Sequence, residues 1–317
     1  IVGKVNHSLL NTVDSAIKDH VQFVFEQTEH TLSNIVNLLE SLDVRVHRPK
    51  PVQHTSDMRL NTPNMKLRGI KNTICPTDSF AVIADTIVEC ASPEETAYYD
   101  HVQYKHIWQE YFDAGSKWIA APIPTHDPIN WTDQNGNADG EILFDGPAIN
   151  LCGDKMFVSA TDVMNKRAKQ WLCQQFPQFE VITVGKTHGH LDAYFSILKP
   201  GLIFSALPKQ ELPSIFNTWE VIQSPESKYV PEEVVDTFLQ DDDYENTTLE
   251  VTGFSIDEQH YMMAKHMWQH HPEIVKQIES HKINCIPVEH SATRWLGQGL
   301  CCMVNSIARK GKMENYF

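Results

Sequence analysis

Phe80-Ala81-Val82-Ile83-Ala84-Asp85-Thr86-Ile87-Val88 holds two short apolar runs separated by a single acid. Runs of this length, rich in β-branched residues and divided by a turn former, read as the two strands of a hairpin. Downstream, residues 94–114 bring Tyr99, Val102, Ile107 and Tyr111 onto or near one helical face, and Trp118-Ile119-Ala120-Ala121 supplies a closing strand. The stretch therefore predicts a hairpin, a helix and a third strand in succession.

The same order returns along the chain. A second unit has Phe157-Val158, a helix over 162–176 and the strand Val181-Ile182-Thr183-Val184; a third has Leu202-Ile203-Phe204, a helix over 211–216 and Trp219-Glu220-Val221-Ile222. A fourth has Tyr261-Met262-Met263, a helix over 272–280 and Asn284-Cys285-Ile286-Pro287-Val288. Near the N-terminus, Leu32, Ile35, Val36, Leu39 and Leu42 recur at three- and four-residue steps before Val44-Arg45-Val46, a fifth unit without leading strands, for which Met303-Val304-Asn305-Ser306-Ile307 is a candidate. Plain strand-helix alternation would suggest a doubly wound parallel sheet. Hairpins at Asp85 and Asp257-Glu258 favour blades arranged around a centre. Neither GxGxxG nor a P-loop occurs, so nucleotide-binding folds lack motif support.

The chain of 317 residues carries 26 Lys+Arg against 41 Asp+Glu, a net charge of −15. That balance argues against nucleic acid or an anionic membrane as partner and suits a cationic small substrate. Seven scattered cysteines form no CxxC pair, which points to a reducing, cytoplasmic setting. No apolar run approaches a membrane span, and the start Ile1-Val2-Gly3-Lys4 lacks both a secretory signal and an initiator Met, as expected of a trimmed chain. Residues 55–72 read as a long loop. The run 240–245 reads as a solvated acidic loop, and 133–140 as a Gly/Asn turn in place of a Ca²⁺ loop.

The chemistry concentrates in Thr187-His188-Gly189-His190-Leu191-Asp192-Ala193-Tyr194-Phe195. On an extended segment His190 and Asp192 would project from one face. The stretch suits either a metal held by His188, His190 and Asp192, or a base and carboxylate serving a nucleophile elsewhere. Three further places carry isolated acids or thiols at element ends: Cys75-Pro76-Thr77-Asp78-Ser79, Phe144-Asp145-Gly146, and Gly297-Gln298-Gly299-Leu300-Cys301-Cys302 followed by Arg309-Lys310-Gly311.

In order and separation this set is similar to the amidinotransferase family, typified by arginine:glycine amidinotransferase, from about Arg45 to the C-terminus. Tyr111-Phe112-Asp113-Ala114-Gly115-Ser116-Lys117-Trp118 and Ala121-Pro122-Ile123-Pro124-Thr125 add to the likeness. The resemblance implies a single catalytic domain over 1–317 with the α/β five-bladed propeller (pentein) fold and the site at its centre. It implies a nucleophile at Cys302, an acid/base at His190 and an orienting acid at Asp145. Asp78 and Asp192 would grip a guanidinium, and Lys209 falls near a basic residue that binds a substrate carboxylate. It implies L-arginine as donor and an amine such as glycine as acceptor, ornithine as product, no metal and no cofactor, and it leaves room for a homodimer. Three departures stand out. Ala148 sits where relatives carry a second acid, Thr187-His188-Gly189 differs from the segment of glycine-using members, and Cys301 takes a place that relatives often give to His. Rival readings are a guanidine-modifying hydrolase such as an arginine deiminase on the same fold, a zinc hydrolase built on His188, His190 and Asp192, and an inactive binding relative.

Overall fold

The computed structural model describes residues 1–53, 60–61, 66–67, 72–125, 141–159, 163–185, 187, 189–225, 251–290, 293, 296, 298–311 and 314–317. The expected loops at 133–140 and 240–245, and His188, lie outside these residues. Most of 55–72 does too, although Leu60–Asn61 pairs antiparallel with Lys66–Leu67 there.

The predicted hairpin forms. Phe80–Ile83 runs antiparallel to Thr86–Glu89, and Thr86–Glu89 pairs parallel with Lys117–Ala120 after the helix Lys105–Asp113. Ala84, at φ 54°, takes the left-handed turn beside Asp85. The next three units repeat this arrangement: Ile149–Cys152, Lys155–Ser159 and Glu180–Val184; Phe195–Lys199, Leu202–Ser205 and Glu220–Gln223; Phe254–Ser255, His260–Ala264 and Asn284–Val288. In each, the first two strands are antiparallel and the last two, joined by a crossover connection, are parallel.

The fifth unit is assembled from both ends of the chain. Val2 bridges antiparallel to Val304. Asn305 N–H donates to Ile1 O at 2.8 Å and Gly3 N–H to Met303 O at 2.9 Å, while Val2 N–H donates to His47 O at 3.0 Å. The expected C-terminal strand is thus reduced to a short bridge, and Val44-Arg45-Val46 leads into the third, extended edge. Between them lies the helix Lys18–Ser41, whose buried positions Val24, Phe25, Thr28, Thr31, Leu32, Ile35 and Leu39 step at helical period. Asp43, at φ 59°, ends it, and Val44 N–H returns to Leu39 O at 3.0 Å.

Two expected helices shrink. Residues 94–114 divide into the 3-10 turns Glu95–Ala97 and Asp100–Gln103 before Lys105–Asp113, whose Trp108 is fully buried against Phe80 and Tyr104. In the third unit, Pro208 and Pro213 each stand at the N-cap of a 3-10 turn, Lys209–Glu211 and Ser214–Thr218, and no α-helix spans 211–216. Proline removes a backbone donor and restricts the residue before it, so the chain crosses that short gap in tight turns.

The first strands of all five units line one cavity of about 520 Å³. That places Phe80–Ile83, Ile149–Cys152, Phe195–Lys199, Phe254–Ser255 and the Val304 segment around a common axis. At the end remote from Asp192 and Cys301, Arg309 ties the chain down: its guanidinium donates to Ser255 O at 2.9 Å and Ile256 O at 3.2 Å and lies over the Phe254 ring. The apolar cores lie outside this axis, between sheets and helices. Among the described residues no helix is long and apolar enough to cross a membrane.

Candidate active site

Each singled-out side chain but Lys209 sits just before the first strand of a unit. Asp78 is in the short helix Pro76–Ser79 ahead of Phe80; Asp145 precedes the turn Gly146–Ala148 ahead of Ile149. His190 and Asp192 stand at the turn Leu191–Ala193 ahead of Phe195, and Cys302 is in the turn Cys301–Met303 ahead of Val304. Repetition of one unit about an axis therefore brings four distant segments to one mouth of the central cavity. The fourth unit offers backbone at the equivalent place: Thr252 O accepts from Cys301 N–H at 3.0 Å.

His190 and Asp192 do not share a face of a strand, as alternation along an extended segment predicted. His190 caps the 3-10 turn and Asp192 lies inside it, while fully buried Leu191 anchors the turn between them. A capping residue and one inside the turn point to different neighbours. His190 Nε2 faces Asp145 Oδ2 at 3.3 Å, and Cys302 lies against the same ring. Asp192 turns to Cys301. The Cys301 and Cys302 sulfurs are free thiols 3.9 Å apart, and with an Asp192 carboxylate oxygen they lie within 4.8 Å of one another.

Close backbone contacts hold the turns together. Thr77 Oγ1 donates to Cys302 O at 3.0 Å, clamping the Asp78 helix to the cysteine turn. A Cβ on Gly146 would stand 2.3 Å from Thr77 O and 2.7 Å from Phe80 O, so only glycine lets the Asp145 turn approach. Gly299 passes Thr252 in the same way, with a Cβ position 2.3 Å from its hydroxyl oxygen. Ser159 Oγ donates to Gly189 O at 3.2 Å and lies 3.3 Å from the Thr187 hydroxyl, bracing the residues on the way to His190. Ser92 stands beside Asp145. Thr77, Ser92, Ser159 and Gly146 escape sequence reading because nothing but tertiary contact distinguishes them from ordinary turn residues. Gly146→Ala is expected to leave the protein folded and to lower turnover by at least about tenfold, since an ångström of misplacement costs on the order of 100-fold. Steady-state rates with a thermal melt as control measure this.

The electrostatics are those of acids and a base sharing a confined space. Burial pushes the carboxyls of Asp145 and Asp192 above the usual range, with the charge of Asp78 adding to both and the His190 contacts opposing. Burial lowers the His190 imidazolium, but the hydrogen bonds to Asp145 and Cys302 and the charges of Asp78 and Asp145 outweigh it, so the ring is held well above its ordinary value. The bond from Cys301 pulls the Cys302 thiol below its usual value; His190 acts the same way, against burial and the charges of Asp192 and Asp78. Cys301 is pushed well above, by the bond to Cys302 first and burial next. The contacts thus favour negative charge on Cys302 and positive charge on His190, the polarity a thiolate–imidazolium pair needs. Asp192, one of the residues lining the cavity, has its Oδ1 shielded from solvent with no hydrogen-bond partner among the described residues.

Lys209 is not gathered into the site: it is exposed, and its ammonium donates to Trp219 O at 2.8 Å, closing the Pro208 turn onto the next strand. Thr187 is buried against Ser159. Ala148 is fully buried beside Phe144 and Met156, so this chain has methyl packing where a second acid was looked for. The zinc reading depended on His188, which lies outside the described residues; the Nε2 of its second ligand, His190, is turned to Asp145.

No family model matches the chain. Among curated proteins, inosamine-phosphate amidinotransferase 1 of Streptomyces griseus is 24% identical over 92% of this chain and 83% of its own length. Mitochondrial glycine amidinotransferase of Gallus gallus is 26% identical over 96% of this chain and 74% of its own length. Among solved structures, an inosamine-phosphate amidinotransferase from Streptomyces griseus superposes with a TM-score of 0.81 at 22% identity, covering 99% of this chain and 92% of that one. An amidinotransferase of the saxitoxin biosynthetic pathway from Microseira wollei gives 0.80 at 21% identity, over 93% and 86% of the two chains. The chain is thus similar to amidinotransferases over more than nine-tenths of its length. Its fold is the five-bladed α/β propeller those structures share. A dimethylarginine dimethylaminohydrolase has the same architecture at lower similarity, with a TM-score of 0.61 and 13% identity over 95% of this chain and 96% of that one. The amidinotransferase-like chain thus keeps its likeness to transferases over nearly its whole length, and to a guanidine-modifying hydrolase in fold alone.

Proposed function

We propose that this single-domain protein transfers the amidino group of L-arginine to a primary amine through a covalent adduct on Cys302. The observation that carries the proposal is one His, His190, facing Asp145 Oδ2 at 3.3 Å with the Cys302 thiol beside the same ring and two more acids, Asp78 and Asp192, at the same mouth. Amidino transfer is supported by the relatives in general; the donor, the acceptor and the residue roles are proposed here.

An arginine guanidinium stays cationic, with a pKa of roughly 12.5–13.8. Asp78 and Asp192 accept its N–H groups in a planar, charge-assisted grip that fixes the central carbon. The Cys302 thiolate attacks that carbon and a C–S bond forms. An amine anion cannot leave, so His190 gives its proton to the departing nitrogen as the C–N bond breaks, releasing neutral ornithine. Cys302 now carries a cationic amidino-thioether and His190 is neutral. The acceptor amine gives its proton to His190 and attacks the same carbon; the C–S bond breaks and the thiolate and imidazolium are restored. Asp145 keeps the imidazole oriented and charged, as the buried acid of a triad does.

The test is an acceptor screen with arginine as donor, read by mass spectrometry. Ornithine with a new guanidino product, formed by ping-pong kinetics, is the expected result. Citrulline without an acceptor would mean that water takes the acceptor's place and the protein is a hydrolase.

A further inference from the structure

We propose that Cys301 is a positioning residue: its S–H donates to the Cys302 sulfur, decides which of two adjacent thiols carries the negative charge, and holds that sulfur toward His190. This rests on Cys302 being the nucleophile.

Two neighbouring cysteines would ordinarily compete for one role. Here the turn Cys301–Met303 gives them different surroundings. Cys302 lies against His190 and Cys301 against Asp192. The turn cannot rotate to exchange them, because Cys301 N–H is bound to Thr252 O at 3.0 Å and Cys302 O accepts from Thr77 at 3.0 Å. Both thiols are buried, at 9% and 6% exposure, so water does not solvate whichever one ionises. The Asp192 carboxylate lies within 4.8 Å of both sulfurs and opposes an anion on either, as Asp78 from the helix Pro76–Ser79 opposes one on Cys302; the His190 ring, behind which stands Asp145, lies against Cys302 and favours the anion there.

Cys301 therefore keeps its hydrogen. With the sulfurs 3.9 Å apart, that hydrogen reaches the Cys302 thiolate, and Asp192 is its second acceptor. A thiolate is otherwise expensive to hold in a buried site lined by three acids. A donor from the adjacent residue lowers that cost without adding a charge that would repel a cationic guanidinium, as a protonated His in the same place would.

The experiment follows iodoacetamide alkylation of Cys302 by peptide mass spectrometry between about pH 5 and pH 10, in the wild type, Cys301→Ala and Cys301→Ser, with a thermal melt of each. Loss of one hydrogen bond to a charged group should raise the midpoint for Cys301→Ala, slowing alkylation on the acid limb about tenfold. The acid limb of kcat/KM for arginine should move with it. Cys301→Ser keeps a donor and should recover most of the shift, which a packing role alone would not require. An unchanged midpoint in Cys301→Ala, or a serine variant that behaves like the alanine one, overturns the proposal. Failure of the nucleophile assignment looks different: Cys302→Ala would then retain arginine turnover whatever residue 301 is.

Discussion

Cys302→Ala is expected to lower turnover of arginine by about 10⁴-fold or more, the scale seen when a covalent nucleophile is removed. The wild type incubated with arginine without acceptor should gain the mass of an amidino group on the peptide containing Cys302, and the variant should not. The reason for so large an effect lies in the chemistry. The guanidinium carbon is a poor electrophile, stabilised by delocalisation over three nitrogens. Splitting transfer into two steps requires an attacking atom that is anionic at neutral pH and also a good leaving group. Among the groups at this mouth the Cys302 sulfur alone combines the two, since the carboxylates are weak nucleophiles and Cys301 is held protonated by its contacts with Cys302 and Asp192. Retained turnover would remove the covalent mechanism altogether.

Asp145→Asn should cost roughly 10³–10⁴-fold in kcat, comparable to amide replacement of the orienting acid in a triad, while leaving arginine binding nearly intact. Asp145 sits 3.3 Å from His190 Nε2, and among the described residues no other acid hydrogen-bonds to that ring. With an amide there, burial acts on the imidazolium with its main opposition removed, and the ring holds its proton less tightly. The sign follows. His190 is raised by its partners, so the charged ring persists to higher pH in the wild type; the variant's remaining activity should fall off at lower pH on the alkaline side. The Cys302 thiolate loses the same counter-charge, so its alkylation midpoint should move up. A pH–rate profile beside an alkylation profile measures both, and an unchanged alkaline limb would mean that Asp145 does not set the charge on His190.

The hairpins were legible because each is a local event. Two apolar runs divided by Asp85 or by Asp257-Glu258 pair wherever they are placed, and the parallel third strand follows from the helix between. The helices failed where local pattern competes with breakers: Pro208 and Pro213 turn an apolar stretch into two 3-10 turns. The fifth unit was half legible. Its helix has a strong period, but its leading edge is made of residues 304 positions apart, Ile1 and Asn305, and periodicity within a window carries no information about such pairing.

For the site, the sequence by itself determined which residue types are present and in what order: a thiol, an imidazole and three carboxylates, each just ahead of an apolar run. Their resemblance to a family fixed the expected roles. Only the tertiary structure decided that these starts converge. The five first strands surround one axis, so whatever precedes them meets at one end. Tertiary structure also decided orientation: His190 and Asp192 diverge at a turn, one toward Asp145 and Cys302 and the other toward Cys301. Lys209, placed near a substrate carboxylate by its position in the chain, spends its charge on a backbone carbonyl instead. The physical reason is the same in each case. Residue identity sets what a group can do, but burial and the distance to a partner set which of those things it does, and both are properties of chain segments that the sequence keeps far apart.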